Sequence, residues 1–251
     1  AKKAAFVHVD YVQAGYTRRL DKDCYVDFDR IFAVSDETAG VLAGVYPECQ
    51  QKLSVFHNLI DTEAIRQKAL LPAEKSMHEG IRLLTVGRLT PQKGFDCAVY
   101  ALKLLLEKQY PVYWYIIGEG PEYGRLTQLA RSLHVEDHFI FLGMQTNPYP
   151  YFKMADFYIH ATRFEGKSIA IQEAQVLGCA IAASDCSGNR EQIVSGVDGL
   201  LCPFSPEGIA NAVEYLIEHP QTAQSFGRAA AQKACHFEND IHMIRDLLYS
   251  P

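Results

Sequence analysis

No run of apolar residues in this 251-residue chain approaches the roughly 20 that a membrane-spanning helix needs. No charged-then-apolar leader stands ahead of the first strand-like segment either. The expectation is a chain that is soluble, or at most peripheral to a membrane. Positive charge is also scarce, because 24 Lys and Arg stand against 30 Asp and Glu and leave a formal net charge of −6. Broad attraction to nucleic acid or to an anionic membrane requires a basic surface. A nucleic-acid partner is therefore not expected, and any phosphate ligand must be held by local donors. C-x-x-C spacing is missing as well. The seven cysteines, Cys24, Cys49, Cys97, Cys179, Cys186, Cys202 and Cys235, are scattered and odd in number. They suggest neither a disulfide framework nor a zinc site, and a reducing cytoplasm fits them best. Internal repeats and low-complexity segments are absent from the sequence.

What is present is ordinary globular material, 48% apolar and 22% charged. Short β-branched or aromatic runs alternate with helical patterns, which is the signature of parallel βα units. Strands are expected at residues 4–9, 30–34, 53–56, 81–86, 112–117, 138–142, 156–161, 180–184 and 199–201. Between them lie amphipathic segments such as residues 95–108, where Ala98, Ala101, Leu102, Leu105 and Leu106 follow helical spacing. Residues 71–80 are polar, contain Pro72 and end in Gly80, and read as a linker. Behind the linker, residues 81–235 supply six strands, enough for a complete doubly wound domain. Ahead of it, residues 1–70 supply three, a poor independent sheet. With a first residue that is Ala and a strand that begins almost at once, this suggests a chain that starts inside a larger protein; removal of an initiator Met is the alternative. Residues 236–251 carry Ile241, Ile244, Leu247 and Leu248 on one face and should form a helix that packs back toward the N-terminal part.

Three loops could carry chemistry. After the strand at 81–86 the chain reads GRLTPQKGFD, in which Gly87 and Gly94 permit tight turns and Arg88 and Lys93 bring two cations to the carboxyl end of a parallel strand. This is a cradle for a diphosphate, with donors able to stabilise charge that grows on a leaving phosphate. A solvated loop is the bland alternative. The next loop, GEGPEYGRL, fits only Gly118 and Gly120 of a G-x-G-x-x-G pattern, since the third position falls on Tyr123. A turn that brings a base or ribose to the backbone is what remains of that reading.

The stretch RFEGKSIAIQEA (residues 163–174) places Glu165 in a loop and Glu173 in the second turn of a helix capped by Ser168 and ended by Gly178. Ser168 and Glu173 lie roughly 7 to 8 Å apart along that axis. Backbone N–H groups from Gly166 to Ile169, with the helix dipole and Lys167, suit a phosphate. The carboxylates would repel it, so they make sense against neutral hydroxyls: a ribose for Glu173 and a sugar ring for Glu165. A glycosidase pair is the competing chemistry, but it leaves Arg88 and Lys93 without a purpose. Two unrelated surface glutamates are the plain alternative. At the front, VHVDY puts His8 and Asp10 at a strand end, on one face, where His8 could contact a sugar hydroxyl or move a proton, or serve only structure. The cluster TRR (residues 17–19) reads as a solvated helix face.

Together these segments resemble the retaining glycosyltransferases of family 4, of GT-B architecture. GRLTPQKGFD resembles that family's G-R-L-x-x-x-K-G loop, GEGPE its nucleotide loop, FEGKSIAIQEA its E-x7-E motif, and DCSGNREQIVSGVDGLL its following G-x-x-E segment. VHVDY, RIFAVS and VFHNLID look like the later half of its acceptor domain. The resemblance implies an α/β fold, with a complete Rossmann-like donor domain and a partial N-terminal domain. It implies transfer of a hexose-type sugar from a UDP-sugar, or a GDP-sugar, to a glycan or lipid-linked acceptor, with no metal or cofactor. Attack on the front face would retain the anomeric configuration while the departing diphosphate helps deprotonate the acceptor. Arg88, Lys93, Glu165 and His8 would act in transfer. Gly87, Gly118, Gly120, Gly166, Lys167, Ser168, Ile169 and Glu173 would complete the donor site. The look of residues 141–168 is closest to bacterial enzymes that build surface polysaccharides, which implies a protein of the cytoplasm, free or at the inner face of the membrane. A non-catalytic nucleotide-sugar-binding module, or a GT-B epimerase or phosphorylase, is the alternative. Two departures stand out: the family's glycine-rich N-terminal loop has no counterpart, and Ser168 and Ile169 replace its usual Pro or Phe-Pro. The first leaves room for donor binding without transfer.

Overall fold

The computed structural model describes residues 2–234 and 240–249. Among these residues nine parallel strands form two sheets. The smaller contains Ala4–Val7 (β1), Arg30–Ala33 (β2) and Leu53–Val55 (β3) in the order β1-β2-β3. The larger contains Ile81–Val86 (β4), Val112–Ile117 (β5), Phe139–Gly143 (β6), Phe157–His160 (β7), Ala180–Ser184 (β8) and Leu200–Cys202 (β9) in the order β6-β5-β4-β7-β8-β9. The helices are Arg18–Asp21 (α1), Asp36–Val45 (α2), Thr62–Lys68 (α3), Phe95–Glu107 (α4), Tyr123–Ser132 (α5), Tyr149–Met154 (α6), Ile169–Val176 (α7), Ser187–Arg190 (α8), Pro206–Glu218 (α9), Pro220–Ala234 (α10) and Ile241–Tyr249 (α11).

Strand alternation explains the packing of the larger sheet. Trp114, Ile116, Phe157 and Ile159 join α4, α5 and α9 in one core, while Tyr115, Ile117 and Tyr158 face Tyr151, Phe152, Ile171 and Ala174 of α6 and α7 in the other. The central strands are tied by one buried hydroxyl. Thr85 Oγ1 donates to the Ile159 carbonyl at 2.7 Å and accepts from Trp114 Nε1 at 2.9 Å. Valine keeps the shape but leaves an indole N–H and a carbonyl short of a partner. Thr85→Val is expected to cost about 1 to 3 kcal/mol, read as a lower urea midpoint with an unchanged slope.

The two sheets are joined closely. Ile65 of α3 packs with Val176 of α7 and Ala234 of α10. Residues 71–80 have no regular structure, yet Lys75 N–H donates to Tyr151 Oη at 3.0 Å and His78 N–H to Tyr115 Oη at 2.6 Å. At the other end, Asp240 accepts from the His57 backbone at 2.7 Å, and Met243, Asp246 and Leu247 of α11 share a groove with Arg30, Phe32 and Ser54 of the smaller sheet. Cys235 and residues 236–239 of the expected tail helix, with 250 and 251, lie outside the described residues.

One expectation at the front needs correcting. The first strand stops at Val7, not at residue 9, so His8 and Asp10 do not alternate along a strand. Asp10 is buried, and its Oδ1 accepts from the N–H groups of Val12 and Gln13 at 3.0 and 2.9 Å. That Asx turn ends the extended run.

Candidate active site

The sheet order reverses between β4 and β7, and their carboxyl ends open a crevice, the place where doubly wound sheets bind ligands. The loop after β4 (residues 87–94) and the loop after β7 (residues 161–168) line it. They are stitched to each other. Arg163 N–H donates to the Gln92 carbonyl at 2.8 Å, Gln92 Nε2 to the Phe164 carbonyl at 2.9 Å, and Thr162 Oγ1 to the Gln92 carbonyl at 3.1 Å. The Arg163 guanidinium clamps Asp96 in the first turn of α4 at 2.7 Å. Ser184 closes the back of the β7 loop, donating to the Thr162 carbonyl at 2.5 Å and accepting from its N–H at 3.0 Å.

Inside this frame Lys93 Nζ forms an ion pair with Glu165 Oε2. Glu165 is buried, and burial alone would push its carboxyl up. The His160 hydrogen bond and the Lys93 charge outweigh that and hold it down at about 2. His160 Nε2 lies 3.4 Å from the same oxygen. Eight residues on, Glu173 accepts from Tyr149 Oη at 3.0 Å. Burial raises its carboxyl, and the tyrosine hydrogen bond only partly opposes the shift. The two glutamates thus differ in kind: one is held as a salt-bridged anion, the other faces a hydroxyl.

Ser168 caps α7 by accepting from Ile171 N–H at 3.4 Å, so the orphan N–H groups of that helix open beside Glu165. Arg88 is exposed and its side chain makes no hydrogen bond or ion pair among the described residues. Gly87 bonds the Ile117 carbonyl at 2.9 Å. A side chain on Gly118, at φ 140°, would collide with the Gly87 carbonyl, and one on Gly120 with Leu89. These glycines let the β4 and β5 loops lie on each other.

The smaller sheet reaches the same place. A Cβ on Gly166 would stand 2.5 Å from the His8 carbonyl, so the loop after β1 lies against the turn that carries Glu165. The His8 side chain is exposed, stacked at 6.3 Å on Phe6. Asn58 Nδ2 donates to the Lys167 carbonyl at 3.2 Å and to Gln172 Oε1 at 3.3 Å. Glu191, the glutamate of the G-x-x-E segment, accepts from Glu37 N–H at the start of α2 at 2.8 Å. A Cβ on Gly188 of the same segment would collide with the Glu165 and Gly166 carbonyls. His160, Tyr149, Asn58 and Arg163 escaped sequence reasoning. The histidine at the carboxyl end of a strand, five residues before Glu165, was the signal available. Among the described residues no cluster of three or more His, Cys, Asp or Glu could hold a metal, and no helix is long and apolar enough to cross a membrane.

This is the GT-B arrangement, and comparison with known proteins agrees. The model of the glycosyl transferases group 1 matches residues 66–233, and the chain belongs to that family. It is 30% identical over 200 residues to the Campylobacter jejuni N-acetylgalactosamine-N,N'-diacetylbacillosaminyl-diphospho-undecaprenol 4-alpha-N-acetylgalactosaminyltransferase, which covers 79% of this chain and 53% of the relative. It is also 30% identical over 189 residues to Mycobacterium tuberculosis glycogen synthase, covering 72% of this chain and 44% of that protein. The chain spans about half the length of the curated relatives it matches. Among solved structures, Anabaena HepE in complex with UDP and glucose superimposes with a TM-score of 0.83 at 18% identity, over 99% of this chain and 71% of that one. Sucrose-phosphate synthase from Thermosynechococcus elongatus gives 0.82 at 17% identity, over 98% of this chain and 68% of that one. These two likenesses are of fold.

Proposed function

We propose that the protein is, or is part of, a retaining glycosyltransferase that moves a hexose-type sugar from a nucleoside diphosphate sugar to a glycan or lipid-linked acceptor at the cytoplasmic face of the membrane. The observation that carries the reading is the convergence, at one sheet switch point, of a lysine, a buried anionic glutamate and a helix N-terminus. Arg88, Lys93 and the Gly87 turn take the diphosphate. The backbone of Gly166, Lys167, Ser168 and Ile169 takes the phosphate next to the sugar, Glu165 the sugar hydroxyls and Glu173 the ribose. Gly118 and Gly120 hold the loop that flanks the base. His8 meets the sugar or acceptor from the facing sheet. The anomeric C–O bond to phosphate breaks with its electron pair on the leaving oxygen. The acceptor oxygen bonds the anomeric carbon from the same face, and its proton passes to the departing diphosphate. Arg88 and Lys93 stabilise the charge that develops.

UDP is favoured as the nucleotide because the HepE complexes hold it, and a lipid-linked acceptor because the Campylobacter relative's name specifies diphospho-undecaprenol. A thermal-shift screen with UDP, GDP and their sugars tests the site, since a ligand that binds only the folded state raises its melting temperature. Glu173→Ala is expected to weaken UDP binding about 10- to 100-fold, the size of one or two hydrogen bonds to a charged group. Calorimetry with UDP alone reads it, and an unchanged affinity removes Glu173 from the ribose.

A further inference from the structure

Of the side chains that face the Glu165 carboxylate, His160 is the one fixed by a strand. It ends β7, is 2% exposed, and its Nδ1 lies 3.2 Å from Tyr158 Oη. Burial pulls the ring below its usual range, against the opposing pull of Glu165, so the imidazole is neutral near pH 7. A neutral ring has one donor, and an ionised carboxylate can only accept. The proton is therefore on Nε2, toward Glu165, and Nδ1 accepts from the Tyr158 hydroxyl.

We propose that His160 is a positioning residue, whose Nε2–H keeps one Glu165 oxygen aimed at the donor sugar when Lys93 turns from Glu165 to the diphosphate. The inference rests on the function proposed above. Lys93 is spent on Glu165. A diphosphate needs that ammonium, and once it turns away a buried carboxylate with no fixed donor would rotate or take up a proton. His160 comes from the sheet and does not follow the loop. The other groups facing Glu165 cannot replace it. Tyr158 has a single O–H, which goes to the ring nitrogen at 3.2 Å rather than to the more distant Val86 carbonyl at 3.5 Å, and burial keeps both Tyr158 and Cys186, after β8, in their neutral forms. The His8 loop approaches through its backbone at Gly166.

Two substitutions separate positioning from mere filling. His160→Leu fills the space without a donor. His160→Gln restores an N–H toward Glu165 and an acceptor toward Tyr158. The first readout is the melting temperature between about pH 5 and 3, where a depressed carboxylate must take a proton. The wild type and His160→Gln should lose stability alike over this range, and His160→Leu should lose clearly less. The second is slow hydrolysis of UDP-glucose or GDP-mannose by the same chain. His160→Leu should lower kcat about 10- to 100-fold, the worth of one hydrogen bond to a charged group. KM should stay within about threefold, because the diphosphate contacts remain, and His160→Gln should recover most of the rate. An acid limb in His160→Leu identical to the wild type overturns the inference, as does a glutamine variant no better than leucine. If the wild type neither binds nor hydrolyses any nucleotide sugar, the proposed function fails, and the acid limb alone decides the role of His160.

Discussion

Glu165→Ala should abolish detectable transfer, a loss of at least about 100-fold in kcat, while UDP still binds. It should also destabilise the fold. Glu165 is buried and held at about 2, against 4.5 for a free glutamate. A folded-state value below the unfolded one gives stability that is fully present above about pH 4.5 and is lost as pH falls toward 2. The shift corresponds to roughly 3 kcal/mol. Removing the carboxylate leaves the Lys93 ammonium, whose side chain is only 19% exposed, without its anion. A lysine stripped of a buried partner costs more than the pair was worth. Hence Glu165→Ala together with Lys93→Met should be more stable than Glu165→Ala alone, by urea denaturation at pH 7. Additive losses in the two single variants would show that the pair is not coupled.

Gly94→Ala should damage both the fold and the site. Gly94 has φ 63°, a left-handed conformation, and a Cβ on it would collide with the Ala161 carbonyl and stand 2.6 Å from the Phe204 ring. The methyl group would push the β4 loop away from the end of β7, the seam that forms the crevice. We expect a loss of about 3 kcal/mol or more and a parallel loss of UDP binding. Gly124 serves as the comparison. It lies in α5 with nothing within 4 Å of its would-be Cβ. Gly124→Ala should be neutral or stabilise by roughly 0.5 to 1 kcal/mol. Equal effects at both glycines would remove backbone fit as the reason for Gly94.

All nine strands of the described residues were legible in the sequence, most as short β-branched or aromatic runs, β8 and β9 as the short apolar stretches AIAAS and LLC. The limits moved by up to two residues, most at β1. There VHV continues the apolar alternation, but the chain turns under the Asp10 side chain. The α7 segment was legible down to its Ser168 cap and its Gly178 stop at φ 70°, since capping chemistry is local. Lys93 and Glu165 could each be named from their motifs, but their pairing could not. It spans 72 residues and depends on β4 and β7 being neighbours. His160 hid in a run, FYIH, whose alternation looks like sheet core. Arg163 carried no signal of its own, and its clamp on Asp96 joins two segments 67 residues apart in sequence. In each case the missing information was which strand lies beside which.

On the proposed function, the crevice between the ends of β4 and β7 holds a nucleotide sugar. Amide hydrogen exchange of the chain with and without saturating UDP-glucose, and again with GDP-mannose, tests it most directly. Slowed exchange is expected in residues 87–94 and in residues 165–173, with little change along α5 and the outer edge of β6. No protection in those two segments with either ligand, or protection confined to another part of the molecule, would contradict it.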